Sequence, residues 1–156
     1  MHLTIRQAVM TDAQEMIEIL YMNQSLRNCY ETKPMDMNDC TRVIFSYFSG
    51  GGFINIVKDG DKMVSILLHK IMGNNLVDVH RHTHRDYIGK GIGSEVSRLD
   101  AEASRGLTIV GLTPEINPLA IAALEKGGYT VLGLIPSCWE TDQGLVGRYV
   151  SYRVCE

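Results

Sequence analysis

The sequence predicts a mixed α/β chain whose elements run β-α-α-β-β-β-α-β-α-β-β, and three stretches carry that expectation. The first is a glycine-punctuated turn, Gly89-Lys90-Gly91-Ile92-Gly93, set between a strand and a helix. The second is Asp59-Gly60-Asp61 between two apolar runs, a hairpin signal because Asp-Gly tolerates the positive φ of tight turns. The third is an apolar run at residues 107–112 that leads into Asn117-Pro118, an N-cap followed by proline at the first helical position.

Residues 2–8 alternate polar and apolar side chains and read as a first strand. Thr11-Asp12-Ala13-Gln14 reads as a capping box opening a first helix, with Ala13, Met16, Ile17 and Leu20 on its apolar face. Residues 23–37 are polar, contain Pro34 and read as a loop or broken helix. A second helix from about Asn38 places Cys40, Val43, Ile44 and Tyr47 on one side, and Gly50-Gly51-Gly52 ends it. Residues 53–58 and 62–72 are the hairpin strands, and residues 76–83 a fourth strand beyond the turn Gly73-Asn74-Asn75. After the glycine turn, Ile92, Val96, Leu99 and Ala103 step as one helical face requires. Residues 107–112 read as a strand buried on both faces, and Gly127-Gly128 closes the helix begun at Asn117. Residues 129–135 and 146–154 read as two last strands around a long polar connection containing Trp139.

A helix start carries free N–H groups and partial positive charge, and glycine lets a ligand reach them, so the turn at 89–93 is built for an anion. Phosphate is the natural guess. A Walker loop requires four residues before its Gly-Lys-Ser/Thr, and a dinucleotide fingerprint requires a third glycine where Ser94 or Val96 stands, so neither fits.

Ile88-Gly89-Lys90-Gly91-Ile92-Gly93 resembles the acyl-CoA signature of the GNAT N-acetyltransferases, Arg/Gln-x-x-Gly-x-Gly/Ala, in every position but the first. Asn117-Pro118-Leu119-Ala120-Ile121-Ala122-Ala123-Leu124-Glu125-Lys126-Gly127-Gly128-Tyr129 looks like a second GNAT signature at the expected distance downstream, with Leu124 in place of its tyrosine. The resemblance implies a GNAT-like mixed central sheet with strands four and five splayed. It implies a pantetheine arm in the gap, backbone contacts from Thr83, His84 and Arg85, and a pyrophosphate on the N–H groups of Gly89, Lys90, Gly91, Ile92, Gly93 and Ser94. Asn117 would contact the arm or its water. The implied activity is transfer of an acetyl group from acetyl-CoA to a primary amine by direct attack in a ternary complex.

Such a reaction needs a base for the amine and an acid for the thiolate. Leu124 cannot give a proton. His80, His82 and His84 alternate along one strand and share a face, and imidazole titrates near neutral pH. His82 is therefore the candidate base, with Asp78 and Glu115 as further candidates. His-x-His could also supply two zinc ligands, but spacing places no third beyond an option at Cys138, so no metal is expected. Trp139 and Tyr149 read as core or rim aromatics.

The length of 156 residues suits one domain, residues 1–156, able to bury about two-thirds of its unfolded surface. A net charge of −3 argues against a nucleic-acid partner, although Arg81, Arg85 and Lys90 make a local basic patch. Cys29, Cys40, Cys138 and Cys155 form no Cys-x-x-Cys pair, and residues 1–6 show no apolar signal region, so a reduced cytoplasm is expected. No apolar run is long enough to span a bilayer, so no membrane partner is expected. The oligomeric state, a homodimer included, stays open. Two rival readings remain: an acyl-CoA-binding regulator without catalysis, and a partner-binding module with a vestigial pocket.

Overall fold

The computed structural model describes residues 1–26, 33–142 and 144–156. Its elements are β1 (Leu3–Gln7), α1 (Ala13–Met22), α2 (Met37–Ser46), β2 (Gly52–Asp59), β3 (Lys62–Ile71), β4 (Leu76–Thr83), α3 (Gly93–Ala103), β5 (Thr108–Pro114), α4 (Pro118–Lys126), β6 (Thr130–Thr141) and β7 (Gly144–Val154). The order is the one the sequence predicts. Cys29 and the rest of residues 27–32, part of the predicted loop, lie outside the described residues.

The strands form one seven-stranded sheet in the order β1-β2-β3-β4-β5-β7-β6. Every neighbouring pair is antiparallel except β4 and β5, which run parallel. A chain that pairs its strands in parallel must carry a crossover, and α3 supplies it. Helices α1 and α2 cover one face through Met16, Leu20 and Ile44, packed on Ile54, Ile56, Ile66 and Leu68. Helix α3 covers the other through Ile92 and Val96 on Val57, Val64 and Leu67. Strand β3 is covered on both sides, so it is buried without a break from Met63 to His69.

A buried polar network fixes α3 to the sheet. Asp100, fully buried, accepts from Asn55 Nδ2 at 2.8 Å and meets His69 Nε2 at 2.9 Å. His69 Nδ1 lies 3.0 Å from the Leu67 carbonyl, so it donates there, and the ring stacks on Phe53 at 4.4 Å between centroids. A buried pair of this kind stands only because each partner is held by further bonds.

Three local expectations need correction. Thr11 caps nothing: α1 is entered through a 3₁₀ turn, Met10–Asp12, in which Asp12 takes the Val9 N–H at 2.8 Å and both Arg6 guanidinium nitrogens, while Gln14 turns to Glu18. A carboxylate facing a bidentate arginine out-competes a hydroxyl. The working capping box lies at α2, where Asp36 and Asp39 each accept the other's N–H. Strand β5 is not buried throughout: Ile109, Gly111 and Pro114 are, while Thr108, Val110, Leu112 and Thr113 are half-buried. Trp139 sits inside β6 rather than in a loop. That strand continues to Thr141 through register shifts at Val131/Gly133 and Ile135/Trp139, with Pro136 and Ser137 (φ 47) in the second.

Candidate active site

Strands β4 and β5 pair at three positions only, Leu76↔Thr108, Val77↔Ile109 and Asp78↔Val110. Beyond Asp78, β4 stays with β3 up to Ser65↔Thr83, while β5 follows β7 up to Pro114↔Arg148. The two strands splay, as the resemblance implies. A cavity of about 520 Å³ occupies the divergence, walled by Val79, Arg81, Gly111, Asn117 and Leu124 among others.

Cross-strand pairing settles which side chain faces which way, because directly opposed residues share a face. His80 and His82 lie opposite Leu68 and Ile66, on the α1–α2 side. Arg81 lies opposite Leu67, on the α3 side. Period-two spacing groups the histidines but cannot say which face they take; the partner strand decides it.

On the α3 side the glycine turn stands at the helix start. Val96 is the first helical residue whose N–H finds a carbonyl, that of Ile92 at 2.9 Å. Among the described residues, the N–H groups of Ile92, Gly93, Ser94 and Glu95 meet no protein acceptor, as the first turn of any helix requires, and neither does that of Gly91 in the turn before it. Gly89 and Gly91 have φ of +78° and +75°, and a Cβ on either would meet nothing within 4 Å, so the turn opens outward. Gly93 serves a different purpose: a Cβ there would stand 2.9 Å from that of Ala123, so its smallness lets α3 approach α4. Ile92 is buried in the core and offers only its backbone. Lys90 is exposed, its Nζ 5.3 Å from the centre of the Tyr87 ring. Ile88 has an exposed apolar side chain, and its N–H donates to the Arg85 carbonyl at 3.2 Å.

The expected backbone contacts shift by residue. The His84 N–H donates to Val64 at 2.8 Å, facing β3 and not the gap, and the Thr83 carbonyl takes Asn23 Nδ2 at 2.8 Å. Arg85 enters a 3₁₀ turn, Arg85–Tyr87. Antiparallel alternation leaves the peptides of Val79, Arg81 and the N–H of Thr83 on the edge toward β5. The sequence reading missed Arg81. It is half-buried, desolvation pulls its pKa below the ordinary value, and Nη1 donates to the Gly93 carbonyl at 2.9 Å and to Ser97 Oγ at 3.0 Å. It thus braces the start of α3 from beneath. Asn117 caps α4, accepting the Ala120 N–H at 3.4 Å, and lines the cavity.

On the α1–α2 side, His82 lines the cavity and its Nδ1 is buried with no hydrogen-bond partner. Burial, and secondarily His80, lowers its pKa from 6.5 to about 4, so the ring is neutral at pH 7. His80 Nε2 lies 3.1 Å from Asp78, and Tyr47 is pushed up to about 12 by burial and by Asp78. Asp78 does not line the cavity. Glu115 does not either: it is exposed and its Oε1 accepts the Gly147 N–H at 2.7 Å, fastening the end of β5 to β7. Arg148 and Trp139, both on the wall, stack with the guanidinium 5.4 Å from the ring centre. Neither had a sequence signal as a pair, since the contact depends on the bulged course of β6. Among the described residues, no group of three His, Cys, Asp or Glu side chains is gathered to hold a metal, and no helix is long and apolar enough to cross a membrane.

A split mixed sheet with a glycine-opened helix over the split is an arrangement that solved structures share. The chain resembles the spermidine N-acetyltransferase of Vibrio cholerae solved with CoA and spermine, at TM-score 0.82 and 12% identity over 98% of this chain and 95% of that one. It resembles the GNAT-family acetyltransferase of Streptococcus pneumoniae at 0.73 and 14%, over 99% and 100%. The N-acetyltransferase of Staphylococcus aureus Mu50 matches at 0.76 and 13%, over 100% of both chains. No protein-family model matches the sequence, and no curated protein matches it. The chain has the GNAT acetyltransferase fold.

Proposed function

We propose that the chain is an N-acetyltransferase that moves an acetyl group from acetyl-CoA to a primary amine. The observation that carries this reading is the parting of β4 from β5 directly beside a helix start with five unsatisfied N–H groups. Acetyl-CoA supplies a thioester and an anionic diphosphate. The N–H groups from Gly91 to Glu95 suit the diphosphate, with Gly89 and Lys90 forming the turn and Arg81 bracing it. The free β4 edge at Arg81 and Thr83, with Asn117 opposite, suits the amide-bearing arm.

The balance of the reaction is an ammonium plus a thioester giving an amide, a free thiol and one proton released. Of the three candidate bases only His82 lines the cavity, in its neutral form and with Nδ1 unpartnered. In this reading it accepts the hydrogen bond or proton of the amine. A pKa of about 4 makes it a weak base, so it acts best by orienting an amine already neutral in this desolvated site. The thiolate takes its proton from water or from a cavity hydroxyl such as Tyr47, because Leu124 lines the wall where the resemblance expects tyrosine.

Leu124 also favours a second reading, an acyl-CoA-binding protein without turnover. Both readings require binding. At one hundred times its Kd, acetyl-CoA should stabilise the fold by about 2.7 kcal/mol, or roughly 5–10 °C in Tm. Ser94→Glu puts a carboxylate in the first turn of α3, where it should hold or raise the stability of the free protein while removing the shift. No shift in the wild type would sink both readings. A shift without thiol release across a panel of amines would leave only the binder.

A further inference from the structure

We infer that the acceptor amine also carries a carboxylate, held by Arg148 on the α1–α2 side of the gap; this rests on the acetyltransferase reading. Strand β7 pairs with β5 without a register shift, and Arg153 lies opposite Ile109, which belongs to the core under α3. Arg148 is five residues earlier, so it points to the opposite face, the one His80 and His82 share. Its Nε is buried and has no hydrogen-bond partner. Its ring neighbour Trp139 stacks but accepts no hydrogen bond.

A buried guanidinium donor left unpaired is costly, and its planar fork matches a carboxylate. The surrounding wall points the same way. Among the described residues the cavity is lined by Lys33, His80, Arg81, His82 and Arg148, and by no aspartate or glutamate. A polycationic amine would meet the charges of Lys33, Arg81 and Arg148 there, with the Asp78 carboxylate held behind His80. Beside the Tyr47 hydroxyl this wall carries Leu20, Met35, Val43 and Leu68, so the acceptor fits the class of small amino acids with an apolar side chain. His82 then faces the amine while Arg148 faces the acid.

The test compares L-leucine with isopentylamine, the same molecule without its carboxylate, and with spermidine, following thiol release from acetyl-CoA. Leucine should exceed both in kcat/KM by about 10–100-fold, the range of a charge-assisted pair of hydrogen bonds. Arg148→Gln should collapse the leucine-to-isopentylamine ratio toward one, and Arg148→Lys should restore part of it. Equal or better use of isopentylamine or spermidine by the wild type overturns the proposal, whatever the variants do. Should no amine be turned over, calorimetric titration of N-acetyl-L-leucine, with and without CoA, decides instead. Binding that Arg148→Gln abolishes supports the site, and absent or unaltered binding refutes it. The acetyl-CoA shift in Tm, read in parallel, reports on the acetyltransferase reading separately.

Discussion

The two walls of the gap are made of different material. The α3 wall presents peptide N–H groups at a helix start and contributes side chains chiefly as braces: Arg81 below, Asp100 behind, Gly93 against α4. The α1–α2 wall presents side chains, His80, His82, Arg148 and Trp139, whose peptides are spent on sheet pairing. A wall of backbone can recognise a diphosphate with few demands on residue type, whereas a wall of side chains can be rewritten one residue at a time. In the proposed reading the first wall serves the cofactor and the second sets the choice of amine.

That contrast predicts unequal responses to mutation. The largest should come from Asp100→Ala, which strands His69 Nε2 and Asn55 Nδ2 in a dry interior; a loss of about 3–5 kcal/mol is expected in urea unfolding. A loss below 1 kcal/mol would mean the network is ornamental. Next is an acid-dependent effect from the other wall. The native His82 resists protonation down to about pH 4, while the unfolded chain takes the proton near 6.5, so acidification through that window favours unfolding. The cost reaches on the order of 3 kcal/mol at its lower end, and His82→Gln should flatten the stability curve between those values. Parallel curves for variant and wild type would show that His82 is solvated.

Smaller effects separate two glycines of one turn. Gly93→Ala forces a methyl against Ala123 and should cost about 1–3 kcal/mol. Gly91→Ala meets no neighbour but must hold φ near +75°, a strain of about 1 kcal/mol. If the order of these two losses is reversed in thermal unfolding, the close packing of α3 on α4 is not what Gly93 provides.

The α3 wall was largely legible in the sequence. Glycines, the Asn117-Pro118 cap and the bounds of β4 at 76 and 83 are local signals, and the structure keeps them. The other wall was not. Alternation tells that His80 and His82 share a face but not which face, because that is fixed by Ile66 and Leu68 on another strand. Arg148 had no visible partner, since Trp139 reaches it only after β6 has slipped register twice. Arg81 reads in the sequence as part of a basic patch; its bonds to the Gly93 carbonyl and Ser97 hydroxyl make it a strut under α3. Leu124 departs from the resembled signature in the sequence itself, and it stands on the cavity wall.

The irregular course of β6 has one more result. It is the last strand of the sheet, and Leu132, Leu134 and Ile135 stand exposed along it. A smooth apolar border of this length would invite a neighbour's strand to dock and the sheet to grow from molecule to molecule. Pro136 withholds a donor midway and Ser137 turns the backbone aside, so an incoming strand meets only short usable stretches on either side. The same kinks that carry Trp139 to Arg148 thus guard the chain against aggregation.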